Sequence, residues 1–154
     1  MTGWRLGYAV APVEIIDAMD LLVLNTFTCA AEFTQIAAIE ALRDSTNAVD
    51  AMVAEYKLRR DLFVRALGRI PGFRCQAPEG AFYAWVNIRD TGLPAEDLQR
   101  ILLEVAGVAV IAGAAFGAEG KDYLRFSLVS ARHLLEDAVD RIERVSVKWR
   151  AVPA

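Results

Sequence analysis

One histidine, His133, and two cysteines, Cys29 and Cys75, are the only imidazole and thiol groups in the chain. The cysteines stand far apart in no ligand spacing, and a zinc centre needs three or four such donors, so a metal site is not expected. The pair fits two reduced core cysteines of a cytoplasmic protein. Long apolar runs are scarce as well. The longest stretch without a charge, Val105 to Ala118, falls short of the ~20 residues of a bilayer span and is broken by Gly107, Gly113 and Gly117. No basic segment followed by an apolar stretch and a cleavage site opens the chain, so no secretory leader is expected. Blocks of like charge are missing too. Net charge is −3, the pI is near 5.2, and the basic residues are scattered along helical segments, which argues against nucleic acid as a partner. Internal repeats and low-complexity segments are absent.

What is present is a folding composition: 154 residues, 55% hydrophobic and 24% charged, enough for one domain or part of a larger one. "LGYAVA" (6–11) predicts a short buried strand stopped by Pro12. Ile15, Ile16, Met19, Leu22 and Val23 then recur at helical spacing, with Pro12 suited to the first turn. "NTFTC" (25–29) reads as a loop and "AEFTQIAAIEALRD" (31–44) as a closely packed, Ala-rich helix. Asn47 can cap a helix whose apolar positions are Val49, Met52, Val53, Tyr56, Phe63, Ala66, Leu67 and Ile70, ended by Pro71–Gly72. At about 24 residues, or ~36 Å, it is long enough to bridge two domains. A boundary near Asn47 therefore places 1–46 in one domain and 47–154 in the next.

Beyond Pro71 the pattern changes to short alternating elements. "FRCQA" and "AFYAWVNI" predict strands separated by the turn "PEG". A helix from Pro94 to Ala106 buries Leu98, Ile101, Leu102 and Val105, with Gly107 past its end. "VAVIA" and "YLRFSLV" predict two more strands. Ser130 can cap a last helix with Leu134, Leu135, Ala138, Ile142 and Val145 on its inner stripe, and Asp137, Asp140, Arg141 and Arg144 off it. The class is α/β, with an α+β second half in which a few strands are covered on one face by helices.

Two arginines sit oddly. Arg125 lies among strand formers in "YLRFSLV", and a guanidinium that cannot lose its proton needs an anionic partner if buried. That partner is one of the chain's own carboxylates, or bulk water on the outer face, or a ligand carboxylate gripped by two parallel hydrogen bonds. Arg5, in the apolar run "MTGWRLGYAVAP", poses the same choice between a structural carboxylate and a phosphate. Other candidates fail. "FGAEGKD" lacks the glycine at Ala115 and the hydroxyl at Asp122 that a phosphate loop requires. Ser127 and Ser130 form no nucleophile elbow, and no carboxylate pair stands out for acid–base work. His133 reads as a solvated first-turn residue, and Tyr83, Trp85 and Tyr123 as core and sheet-packing residues.

Taken in series, these stretches resemble one family, the class I/II, aspartate-aminotransferase-like pyridoxal-phosphate enzymes of fold type I. "MTGWRLGYAVAP" is similar to the segment that follows the family's cofactor lysine, and "TQIAAIEAL" to the helix after it. "PEGAFYAWVNI" resembles the family's P-x-G-A-F-Y strand entry. "GVAVIAGAAFGAEGKDYLRFSLV" resembles its G-V-x-V-x-P-G-x-x-F-G…LR-x-S ending. The resemblance implies the end of the large domain (1–46), the bridging helix, and a small C-terminal domain with a short sheet under helices. It gives Arg5 to the phosphate of pyridoxal 5'-phosphate and Arg125 to the substrate α-carboxylate.

It also implies an amino-acid and 2-oxo-acid transferase, homodimeric as the full-length parent; composition adds the expectation of a cytoplasmic protein with neither nucleic acid nor membrane as partner. Two departures stand out. Ala112 replaces the proline before Gly113, which is expected to loosen that turn. The Schiff-base lysine of S-K-x-x-x-M-T-G-W-R falls before Met1, and none of Lys57, Lys121 or Lys148 matches it. Met1 is thus expected to be an internal residue taken as a start, and the chain alone to have no catalytic residue and no activity. A non-catalytic truncated subunit or complementing fragment, and a mis-started reading frame without function of its own, stay open; so do a β-elimination lyase or a decarboxylase on the same fold, which the two arginines do not discriminate.

Overall fold

The computed structural model describes residues 1–43 and 46–149 and divides into two compact units, Met1–Asp50 and Ala51–Ala154. The second unit holds the core. Strands β1 (Arg74–Cys75), β2 (Tyr83–Asn87), β3 (Ile111–Ala112) and β4 (Tyr123–Ser127) form one antiparallel sheet in the order β1-β2-β4-β3. Alternation decides which residues face inward. Ala84 and Val86 of β2, Leu124 and Phe126 of β4, and Ala112 of β3 are buried, whereas Trp85, Ser127 and Ile111 are exposed. In register, Trp85 stands opposite Arg125 on β4, and Ile111 stands opposite Arg125 from the other side.

The helices cover the inner face only. Leu98 and Leu102 of α4 (Ala95–Glu104) and Leu135, Val139 and Ile142 of α5 (Arg132–Trp149) join the sheet residues in a single cluster. Phe63 and Leu67, at the C-terminal end of α3 (Thr46–Leu67), join it as well. Pro94 is the N-cap of α4, and Gly107 follows its end at φ 63°, letting Val108 N–H reach back to the Leu102 carbonyl. The long helix runs 22 residues from Thr46, so Asn47 lies inside its first turn rather than capping it. The predicted strands "FRCQA" and "VAVIA" shorten to two residues each.

The first unit differs most from its sequence pattern. It contains a 3-10 turn (Thr2–Trp4), α1 (Val13–Thr26) and α2 (Glu32–Arg43); Asp44, at the end of the predicted helix, lies outside the described residues. The strand predicted over 6–11 does not form. Tyr8 is 77% and Val10 91% exposed, because no described segment of this unit offers a second strand to pair with them. α1 extends to Thr26, which shortens the "NTFTC" loop, and Pro12 is its N-cap. Cys29, expected in a core, is exposed, while Cys75 is half-buried; both thiols are free.

Candidate functional site

Arg125 occupies the middle of β4 on the uncovered face of the sheet, and it is half-buried there. No described carboxylate meets it. Its guanidinium instead lies between two rings, with Cζ 4.2 Å from the Tyr83 centroid and 4.4 Å from that of Phe116. Ring faces carry negative charge density and attract a cation, so burial of the two guanidinium faces is compensated without an anion. The in-plane N–H edge keeps no described acceptor. A planar fork held in this way is suited to a carboxylate's two oxygens.

Phe116 reaches this place from the 3-10 turn Gly113–Phe116. Gly113 and Gly120 pack backbone to backbone; a Cβ on either would collide with the other's carbonyl oxygen. The indole of Trp85 meets Phe116 edge-on at 5.7 Å and stacks on Tyr123 at 5.5 Å. Tyr83, Trp85 and Tyr123, expected as core and sheet-packing residues, pack on the outer face of the sheet near Arg125 rather than in the core. Sequence reasoning missed Phe116 and the role of Tyr83. The signal was available in the two-residue period, which puts Tyr83, Trp85 and Arg125 on one face.

Ala112, the departure from proline, has an extended backbone at φ −61°, which a proline would also accept. Its N–H, which proline lacks, donates to Gln99 Oε1. That bond and the Gly113–Gly120 contact both tie this turn.

Arg5 follows the first 3-10 turn, where Trp4 N–H donates to the Met1 carbonyl and the Trp4 ring meets Phe33 edge-on at 6.2 Å. It borders a concavity lined by Met1, Leu6 and Gly7. The side chain is exposed rather than buried in a strand, and no described residue pairs with it. Its backbone sits at φ 54°, a left-handed conformation that an L-residue other than glycine or asparagine adopts at a cost.

The remaining titratable groups are accounted for elsewhere. Glu55 accepts from Arg59 Nε (2.8 Å) and Arg132 Nη2 (2.9 Å), and these bonds, that of Arg59 foremost, hold its carboxyl below the usual range. Burial pushes the Cys75 thiol up, away from a reactive thiolate. His133 is exposed, as are Lys57 and Lys121. No group of three or more His, Cys, Asp or Glu side chains converges among the described residues, and no helix among them is long and apolar enough to cross a membrane.

Comparison with known proteins gives consistent likenesses. A family model described as aminotransferase class I and II matches residues 1–142. The chain is 44% identical over 146 residues to an aspartate aminotransferase of Pyrococcus horikoshii, spanning 94% of this chain and 37% of that protein. An aromatic-amino-acid aminotransferase 2 of Thermococcus litoralis is 41% identical over 147 residues, again 94% of this chain and 38% of its own length. The crystal structure of an aromatic aminotransferase from Pyrococcus horikoshii superposes with a TM-score of 0.89 at 42% identity, over 99% of this chain and 41% of that one.

Proposed function

The chain belongs to the class I and II aminotransferase family, and from that membership we propose that it is the C-terminal part of a pyridoxal-phosphate-dependent enzyme that moves an amino group from an amino acid to a 2-oxo acid. The domain boundary proposed with it falls near Asn47, residues 1–46 closing the large domain. One observation carries the reading: Arg125 lies against two ring faces on an uncovered sheet face, with its N–H edge free of any described acceptor.

In this role Arg125 binds and orients the substrate α-carboxylate through two parallel N–H···O bonds. Arg5, strained and unpaired, binds the phosphate of the cofactor. The chain's part fits that phosphate end, since a dianionic group would compensate the strain and charge at Arg5. Pyridoxal phosphate, when bound, carries the amino group between the two substrates. Its covalent attachment requires a lysine, and none of Lys57, Lys121 or Lys148 stands at the place of the lysine in the family's S-K-x-x-x-M-T-G-W-R motif. The proposal therefore assigns attachment and proton movement to a lysine in the segment preceding Met1. The chain alone does neither.

The DNA upstream of the first codon is the first experiment, with an in-frame S-K-x-x-x expected. In the lysine-bearing polypeptide, Arg125→Leu is expected to lower kcat/KM for the amino acid roughly 10²-fold or more, because two charge-assisted bonds are lost. An unchanged kcat/KM would remove Arg125 from the substrate site.

A second reading, a non-catalytic subunit that complements another polypeptide, is favoured by the exposed apolar residues Ile15, Leu21, Leu22 and Leu24 of α1. Its mark would be a complex, or rescued turnover, on mixing the 154-residue chain with a separately produced N-terminal part; finding neither would count against it.

A further inference from the structure

We propose that Tyr83 and Phe116 are positioning residues, which clamp the Arg125 guanidinium between two ring faces and so fix the direction in which its N–H edge meets a carboxylate. This rests on the reading of Arg125 as a carboxylate-binding residue and extends it to two side chains that do not themselves touch the acid group.

An arginine free on a sheet surface samples many rotamers, and binding an acid group in one geometry must first overcome that entropy. Here two rings from separate elements lie close to the guanidinium, with centroids at 4.2 Å and 4.4 Å from Cζ. The rings also displace water from the two faces, where a guanidinium makes no in-plane hydrogen bonds, and leave the donor edge open. Freedom is removed where it does not serve binding and kept where it does.

Phe116 is 51% exposed, so core packing does not explain its place. Its position is over-determined instead, by the Trp85 ring against it and by the Gly113–Gly120 backbone contact that shapes its turn. Tyr83 is fixed by β2 itself, one step diagonally along the ladder from Arg125. Two independent elements thus bring one ring each to the same cation.

The test uses the 154-residue chain, labelled with ¹⁵N at arginine, and propanoate as the probe. In the wild type, the Arg125 Nε–H resonance is expected to be displaced by ring currents and to respond to propanoate. Phe116→Leu is expected to remove the Phe116 share of the displacement, leaving that of Tyr83, and to weaken propanoate binding about tenfold, while the backbone spectrum of the core residues stays in place. Phe116→Tyr is expected to restore both, and Tyr83→Leu to repeat the loss from the other face. Propanoate bound as tightly by Phe116→Leu as by the wild type would overturn the clamp and leave the carboxylate role of Arg125 standing. An Arg125 resonance that is displaced by the rings yet unmoved by propanoate would instead sink the carboxylate role, and the proposal with it.

Discussion

Arg125 and Arg5 carry the same charge, and their surroundings differ in kind. The first is compensated by ring faces and offers an edge; the second stands exposed on a strained backbone. The sequence signalled that Arg125 needed compensation but not its form, because cation–π contact depends on a turn, Gly113–Phe116, whose direction no local pattern encodes. Strain recurs at Ala81, at φ 59° just before Phe82 and Tyr83. Its side chain is exposed, so Ala81→Gly loses no packing and is expected to raise stability by about 0.5–1 kcal/mol in urea unfolding. A decrease would show that the left-handed turn is not costly there. Gln99 accepts from the buried Ala112 N–H. Gln99→Leu leaves that donor unsatisfied, and a loss of about 1–3 kcal/mol is expected by the same measurement.

Among the elements, the sheet and helices of the second unit were legible from periodicity, and their edges were not. α5 illustrates the reason. Leu134 and Leu135 are both apolar, so spacing alone admits two stripes one residue apart. The structure selects Leu135, Val139, Ile142 and Val145 and leaves Leu134 about half exposed. β1 and β3 are the two edge strands, each with a neighbour on one side only. α3 and α5 are joined through Glu55, which pairs with Arg59 on its own helix and Arg132 on the other. The folded carboxyl titrates below its unfolded value, so the unfolded state takes up the proton first as pH falls. The stabilisation is present above the ordinary carboxylate pKa of ~4.3 and is lost as pH falls through the lowered folded value. The gap in urea midpoint between the wild type and Glu55→Gln is therefore expected to be open at neutral pH and to close in acid. A gap independent of pH would remove Glu55 from the α3–α5 connection.

At the scale of the whole chain, apolar residues are abundant throughout, but burial is confined to one unit. Thr34 is the only buried residue described between Met1 and Asp50, whereas every large buried side chain lies beyond. Hydrophobic periodicity in 1–50 correctly gave the helices α1 and α2 and misled on the strand at 6–11, because a strand exists only with a partner. Slow amide exchange requires buried, packed hydrogen bonds. Exchange measured on the 154-residue chain is thus expected to be slow in β2 and β4 and far faster in α1 and α2. Equal protection in both units would contradict the exposure described for the first.

The chain's proposed division of labour, anion-binding arginines without the lysine that attaches the cofactor, is tested most directly by amino-group transfer with the purified 154-residue protein and added pyridoxal phosphate. The expected result is a rate no greater than that of the cofactor free in solution. Saturable turnover that disappears on replacing Lys57, Lys121 or Lys148 would contradict it.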